Sequence, residues 1–170
     1  MEIRKGTIVK VTKKDPLFDR VKFVVSARLR EKPSYFATQY IFSDGTRLVA
    51  TDGGRLHCGE DINIPAGLYD VILNTPTLVS LEEVEEEGIF PEFEKLLSEE
   101  LDKTEYSPEF IDFIDYAVVA KMLPNGDGIN YEYFKDLYKH CSTMFCSSEP
   151  KNIIIFRGEN TTAVVMPFLM

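Results

Sequence analysis

Two Asp-Gly pairs, Asp44-Gly45 and Asp52-Gly53, flank the six-residue run Thr46–Thr51. Glycine takes positive φ at little cost and aspartate can hydrogen-bond its own backbone, so each pair marks a tight turn. Turns this close leave room only for short strands that fold back on one another. The stretch from Tyr35 to Gly59, YFATQYIFSDGTRLVATDGGRLHCG, therefore predicts an antiparallel meander. Further strands are expected at residues 6–12, at Gly67–Leu73 and at Thr77–Leu81.

Helices are expected where the period changes. Asp15-Pro16 suits a helix start, with Asp as N-cap and Pro at the first helical position, where its missing N–H costs nothing. That helix should run to about Leu29, with Leu17, Phe18, Val21, Val25 and Leu29 facing inward. Ser107-Pro108 signals another start, followed by Phe110, Phe113, Ile114 and Ala117 at helical spacing, while Tyr116–Leu123 fits either helix or strand. Asn130 is a plausible N-cap for a third helix carrying Tyr131, Phe134, Leu137, Tyr138 and Cys141 on one stripe. Strands should follow at Thr143–Ser147, Asn152–Arg157 and Thr161–Phe168. The two halves share a rhythm without sequence repetition. The expectation is an α+β fold in a single domain, 1–170, of two pseudo-repeated halves, about 1–81 and 107–170, joined by an acidic connector at about 82–106.

Composition narrows the function. No apolar run approaches the ~20 residues of a membrane span, and the start MEIRKGTIVKV lacks the apolar stretch of a signal peptide. Three cysteines, Cys58, Cys141 and Cys146, form an odd, sparse set that fits reduced thiols and a cytoplasmic protein. His57-Cys58, His140-Cys141 and Cys146 lack paired Cys-x-x-Cys spacing, and Glu82–Glu87 lacks calcium-loop spacing. No metal, cofactor or catalytic residue is expected. The net charge of −9 conceals an asymmetry. Residues 1–33 hold ten Lys/Arg against four Asp/Glu, whereas residues 82–115 hold fourteen acidic residues against Lys95 and Lys103. The basic end suits phosphate, and the acidic stretch would repel it. The chain ends in Val164–Met170, VVMPFLM, an apolar tail that must pack into a core or line a groove.

Four segments, in order, resemble the bacterial DNA polymerase III beta subunit, the sliding clamp. Ala50-Thr51-Asp52-Gly53-Gly54-Arg55-Leu56 matches the family's Ala-Thr-Asp-Gly-His-Arg-Leu. Phe90-Pro91-Glu92-Phe93-Glu94-Lys95-Leu96 matches its Phe-Pro-Asp-Tyr segment. Tyr131–Cys141 resembles the amphipathic helix before its final strands, and Val164-Val165-Met166-Pro167-Phe168 matches its closing Val-Val-Met-Pro. Gly54 stands where the family usually has His, and Phe168-Leu169-Met170 lacks its usual Arg. A clamp subunit has three domains, and this chain has the length of one.

The resemblance implies a DNA-clamp-like domain in DNA replication, a processivity factor rather than an enzyme, whose hydrophobic groove captures short linear peptides of polymerases and other replication proteins. Carried over by position, Thr51, Gly53, Arg55 and Leu56 would form one wall, and Pro91, Lys95 and Leu96 the linker side. Val164, Val165, Met166 and Pro167 would form the floor, bordered by Phe168 and Met170. A ring would hold non-specific duplex DNA through Lys13, Lys14, Arg20, Lys22, Arg28, Lys135 and Lys139. Affinity built from about 6–10 phosphate contacts is strongly salt-dependent, and one copy supplies fewer. Homo-oligomers that encircle DNA therefore compete with a second reading, a clamp-derived adaptor that binds peptides without a ring.

Overall fold

Both Asp-Gly turns form, with Gly45 at φ 99° and Gly53 at φ 91°. The structure, a computed structural model, describes residues 6–28, 36–86, 90–98, 103–106, 120–122, 127–147 and 152–169. The chain divides into two compact units, Met1–Gly53 with His57–Pro91, and Gly54–Leu56 with Glu92–Met170.

The first unit contains β1 (Ile8–Thr12), α1 (Phe18–Val25), α2 (Phe36–Gln39), β2 (Ile41–Ser43), β3 (Leu48–Thr51), the later part of β4 (Arg55–Gly59), β5 (Gly67–Asn74) and β6 (Leu78–Val84). Its strand order is β1-β6-β5-β2-β3-β4. Phe18, Val21, Val24 and Val25 are buried on α1, which packs against β1, β3 and β6. On the strands, Leu48, Val49, Ala50, Val79 and Leu81 are fully buried as well. Each large apolar side chain removed from water in this way contributes about 1.5–3 kcal/mol. His57 belongs to this core. Its ring stacks on Phe23 at 4.2 Å, and its Nδ1 lies 2.7 Å from the Phe23 carbonyl oxygen.

Three expectations shift here. Asp15 does not cap α1 directly. Its carboxylate accepts from the Leu17 N–H at 2.9 Å, closing a turn ahead of a helix that begins at Phe18. The aromatic run after Tyr35 is not one strand, because Phe36–Gln39 forms a helical turn before β2. Glu82, Glu83 and Val84 continue β6 rather than opening the connector, since Glu82 pairs with both Ile8 and Asp70. The backbone N–H and C=O groups of these residues find partners in the ladder whatever side chains they carry, although Asp70 opposite Glu82 sets like charges side by side.

The second unit contains the start of β4, α3 (Glu94–Ser98), β7 (Lys103–Tyr106), β8 (Ala120–Met122), β9 (Asp127–Asn130), α4 (Tyr131–Tyr138), β10 (Thr143–Ser147), β11 (Ile154–Gly158), β12 (Thr161–Val165) and β13 (Phe168–Leu169). Strands β12-β11-β10-β7 are neighbours in that order, and β13-β9-β8 form a small sheet. Asn130 caps α4 as expected, its side-chain oxygen accepting from the Glu132 N–H at 2.9 Å. Phe134 and Leu137 form its buried stripe, while Cys141, expected on the same stripe, lies buried beyond the helix end. Tyr116–Leu123 contributes strand, at Ala120–Met122, while the helix expected after Ser107-Pro108 lies outside the described residues. The fold is α+β, with helices packed on antiparallel strands.

These local arrangements make three stability predictions. Asn130→Ala should lose about 1 kcal/mol in urea denaturation. Gly158→Ala should lose more, because its Cβ would sit 2.0 Å from the His140 carbonyl oxygen and 2.6 Å from Thr161 Oγ1. A Gly158→Ala variant as stable as wild type would contradict that packing. Burial alone would raise the Asp44 pKa, but hydrogen bonds from Arg47 and Thr46 outweigh it and hold the carboxyl at about 2. A depressed folded-state pKa stabilises above the unfolded value of 3.8 and stops doing so as pH falls through about 2. Asp44→Asn should therefore destabilise at neutral pH, and its deficit relative to wild type should shrink across that acid window.

Candidate functional site

The chain end is placed by β12. Val164 pairs with Ile155 and Val165 with Ile154, and both valines are buried. Immediately afterwards the Met166 N–H donates to the Gly54 carbonyl at 2.9 Å. That bond ties the last turn of chain to the start of β4, the neighbour of β12 in the strand order. The Met166 side chain is 54% exposed, the most exposed large apolar side chain among the described residues. Pro167 is half-buried, and the backbone of Phe168 and Leu169 then pairs with Gly128 and Asp127. Met170 lies outside the described residues.

Arg55, the residue after Gly54, opens β4. Its side chain is only 10% exposed, and its Nη1 donates to Asp136 Oδ2 at 2.9 Å. The guanidinium also lies over the Tyr133 ring, 4.4 Å from its centroid. Tyr133 and Asp136 are three residues apart on α4, the spacing that puts two side chains on one helix face. The Asn130 cap and the buried Phe134 and Leu137 hold that helix in place. Leu56, the next residue of β4, is buried. Neither Tyr133 nor Asp136 stood out in the sequence, because both fall off the apolar stripe. Their shared spacing from the Asn130 cap was the available signal.

The other expected groove residues distribute as follows. Lys95 and Leu96 sit on α3, which packs against β12. Lys95 is exposed, with Glu92 at 3.9 Å, and Leu96 is half-buried. Thr51, Gly53 and Pro91 belong to the first unit. There the Gly53 N–H donates to Thr51 Oγ1 at 3.1 Å, while Gly53 and Pro91 are exposed. So the second unit gathers Arg55, Leu56, Lys95, Leu96, Val164, Val165, Met166 and Pro167, and adds Tyr133 and Asp136.

The candidate DNA contacts divide differently. Lys13, Lys14, Lys135 and Lys139 are exposed, and Lys135 lies 3.7 Å from Glu132. Arg20 donates to the Glu60 carbonyl at 2.7 Å, and Lys22 donates to Asn74 and the Thr75 carbonyl. Arg28 pairs with Asp70 and donates to the Gln39 carbonyl at 2.7 Å. Lys22 and Arg28 also flank a cavity of about 600 Å³ whose apolar lining includes Val25, Ile72 and Leu73.

Cys58, Cys141 and Cys146 are all buried. Burial pushes the Cys141 thiol up to about 12, against a weaker lowering by a Thr161 hydrogen bond, so it stays protonated at neutral pH. Among the described residues no group of three or more His, Cys, Asp and Glu is placed to hold a metal ion, and no helix is long and apolar enough to cross a membrane.

This arrangement of helices packed on antiparallel strands is a DNA-clamp fold. More particularly, it is the fold of the bacterial DNA polymerase III beta subunit. The chain superimposes on a putative beta subunit from Eubacterium rectale with a TM-score of 0.65 and 12% identity, covering 98% of this chain and 66% of that one. It superimposes on the Helicobacter pylori beta clamp bound to a DNA ligase peptide with a TM-score of 0.64 and 13% identity, covering 100% and 68%. The Pseudomonas aeruginosa sliding clamp gives 0.60 and 15%, covering 100% and 69%. No family model matches the sequence, and no curated protein matches it.

Adjacent positions of the candidate site should respond differently to truncation. Leu56→Ala removes a buried side chain and should cost about 2–5 kcal/mol. Met166→Ala removes an exposed one and should stay within about 0.5 kcal/mol of wild type. Denaturation of the two single variants checks this, and an equal loss for both would place Met166 in the core.

Proposed function

We propose that this chain is a clamp-like, non-catalytic protein of DNA replication that captures short linear peptides of polymerase or other replication proteins on its second unit. The observation that carries the reading is the exposed Met166 at the end of the buried β12, flanked by Gly54 and Arg55. An unbranched, polarizable thioether adapts to different apolar partners and suits a surface that must accept several sequences. Buried Val164, Val165 and Leu56 hold the strands on either side of it in place, and Leu96 and Pro167 add half-buried apolar surface. Lys95 and Arg55 supply the polar frame, and by the resemblance Phe168 and Met170 would border the site. Recognition of this kind, apolar anchors with a few placed polar groups, needs no cofactor and no metal. The Helicobacter pylori clamp of the same fold was solved with a DNA ligase peptide. The protein acts in the cytoplasm, where replication proteins are available to it.

The basic residues favour capture over encirclement as the primary activity. Arg20, Lys22 and Arg28 serve contacts within the first unit, which leaves Lys13, Lys14, Lys135 and Lys139 as the phosphate-facing set. Those four, against a net charge of −9, make one copy a weak DNA binder. Encirclement of duplex DNA therefore belongs to a homo-oligomer, if several copies close a ring.

Fluorescence anisotropy with a labelled DNA ligase peptide tests capture. Wild type should bind, and Met166→Ala should weaken binding about tenfold, the equivalent of ~1.4 kcal/mol. Equal binding by both proteins would remove Met166 from the interface.

A further inference from the structure

We propose that the cavity between α1 and the β5–β6 hairpin is a docking site for a short linear peptide that sets a large apolar side chain beside a carboxylate. The site lies within the first unit and stands independently of Met166. It is made by an irregularity in β5. Val71 pairs with Leu81 and Leu73 with Ser80, so Ile72 is an extra residue with no partner opposite. A regular strand turns successive side chains to opposite faces, whereas a bulge re-aims one of them. Here both neighbours reach the surface, Ile72 at 47% and Leu73 at 43% exposure. Together with Val25 of α1 and Pro76 of the hairpin they line a cavity of about 600 Å³, within the range of ligand pockets.

The charge of the lining selects the ligand. Its charged residues are Lys22 and Arg28, and among the described residues no carboxylate lines it. Arg28 is balanced by Asp70 and braces the wall through the Gln39 carbonyl. Lys22 Nζ donates to Asn74 Oδ1 and to the Thr75 carbonyl. Both are neutral acceptors, which fix the ammonium beside the hairpin and leave the sign of its charge unchanged. A carboxylate entering the cavity therefore meets a positioned cation next to apolar surface.

The strand edge favours a peptide over a free amphiphile. β2 pairs with β5 at Gly67, Leu68 and Tyr69 only, so among the described residues no strand continues along Ile72–Asn74 on that side. An extended peptide can lie along such an edge while one apolar side chain enters the cavity.

A methyl NMR titration of the full chain tests this with a blocked Leu/Phe/Asp hexapeptide and its twin carrying Asn for Asp. The acidic peptide should shift the Ile72 and Leu73 methyls. It should bind on the order of five- to tenfold more tightly than the twin at low salt, with the ratio falling as salt is added. Lys22→Gln should remove that preference. Ile72→Glu, at an exposed position, should weaken the acidic peptide about tenfold or more without unfolding the chain. Met166→Ala should leave both peptides unchanged, which separates this cavity from the site on the second unit. Equal binding of the two peptides, or shifts that spare Ile72 and Leu73, overturns the proposal and leaves capture at Met166 untouched. Ile72 and Leu73 shifts that follow protein concentration without peptide would assign the cavity to a second copy and overturn it as well.

Discussion

The pairing of β11 with β12 decides where the end of this chain emerges. With Ile154 opposite Val165 and Ile155 opposite Val164, the ladder buries both valines and leaves the next residue at the strand's exit. A slip of one residue would exchange the faces of the strand and bring polar Thr162 where an apolar side chain is needed, so the buried face fixes the register strongly. The Met166 N–H is then taken by the Gly54 carbonyl, which leaves the backbone satisfied and the thioether in water. Peptide capture around Met166 depends on that geometry. If the register moved, Met166 would become core and the candidate site would have no anchor.

Electrostatics divides the cationic residues into two groups with different work. Arg28, Arg47 and Arg55 each reach a carboxylate within their own unit, at Asp70, Asp44 and Asp136. Arg20 and Lys22 reach backbone carbonyls. Such pairs restrain neighbouring elements more than they add net stability, because a partly exposed ion pair contributes on the order of 0–1 kcal/mol. Among the described residues, those left at the surface are mainly lysines with long, solvated stems. This division explains why the basic count in residues 1–33 overstates the charge that a phosphate backbone would meet.

Much of the fold was legible where a residue type is needed for backbone reasons. Gly45 and Gly53 take positive φ where the Asp-Gly pairs predict turns, and Asn130 caps the helix that it precedes. The four segments resembling the clamp family lie in a chain that adopts the clamp fold. Short apolar or charged runs were less legible, because their outcome is set by partners distant in sequence. The aromatic run at Phe36–Gln39 has no period long enough to separate a helical turn from a strand. Glu82 reads as connector until Ile8 and Asp70 pair with it. At the candidate site, Arg55, Met166 and Val165 were visible as motif residues, but the difference between exposed Met166 and buried Val165 and Leu56 was not. Tyr133 and Asp136 were invisible for the opposite reason. They are ordinary polar-face residues whose importance lies in a contact with Arg55, about eighty positions away.

On the proposed reading the second unit captures an apolar peptide around Met166. Its most direct test is a nuclear magnetic resonance titration of the isotope-labelled chain with an unlabelled DNA ligase peptide. Peptide capture predicts chemical-shift changes clustered on the Met166 methyl, Arg55, Leu56, Tyr133 and the α3 residues Lys95 and Leu96, with α1 unperturbed. Shift changes confined to α1 and the cavity flanked by Lys22 and Arg28, or no changes at saturating peptide, would contradict it.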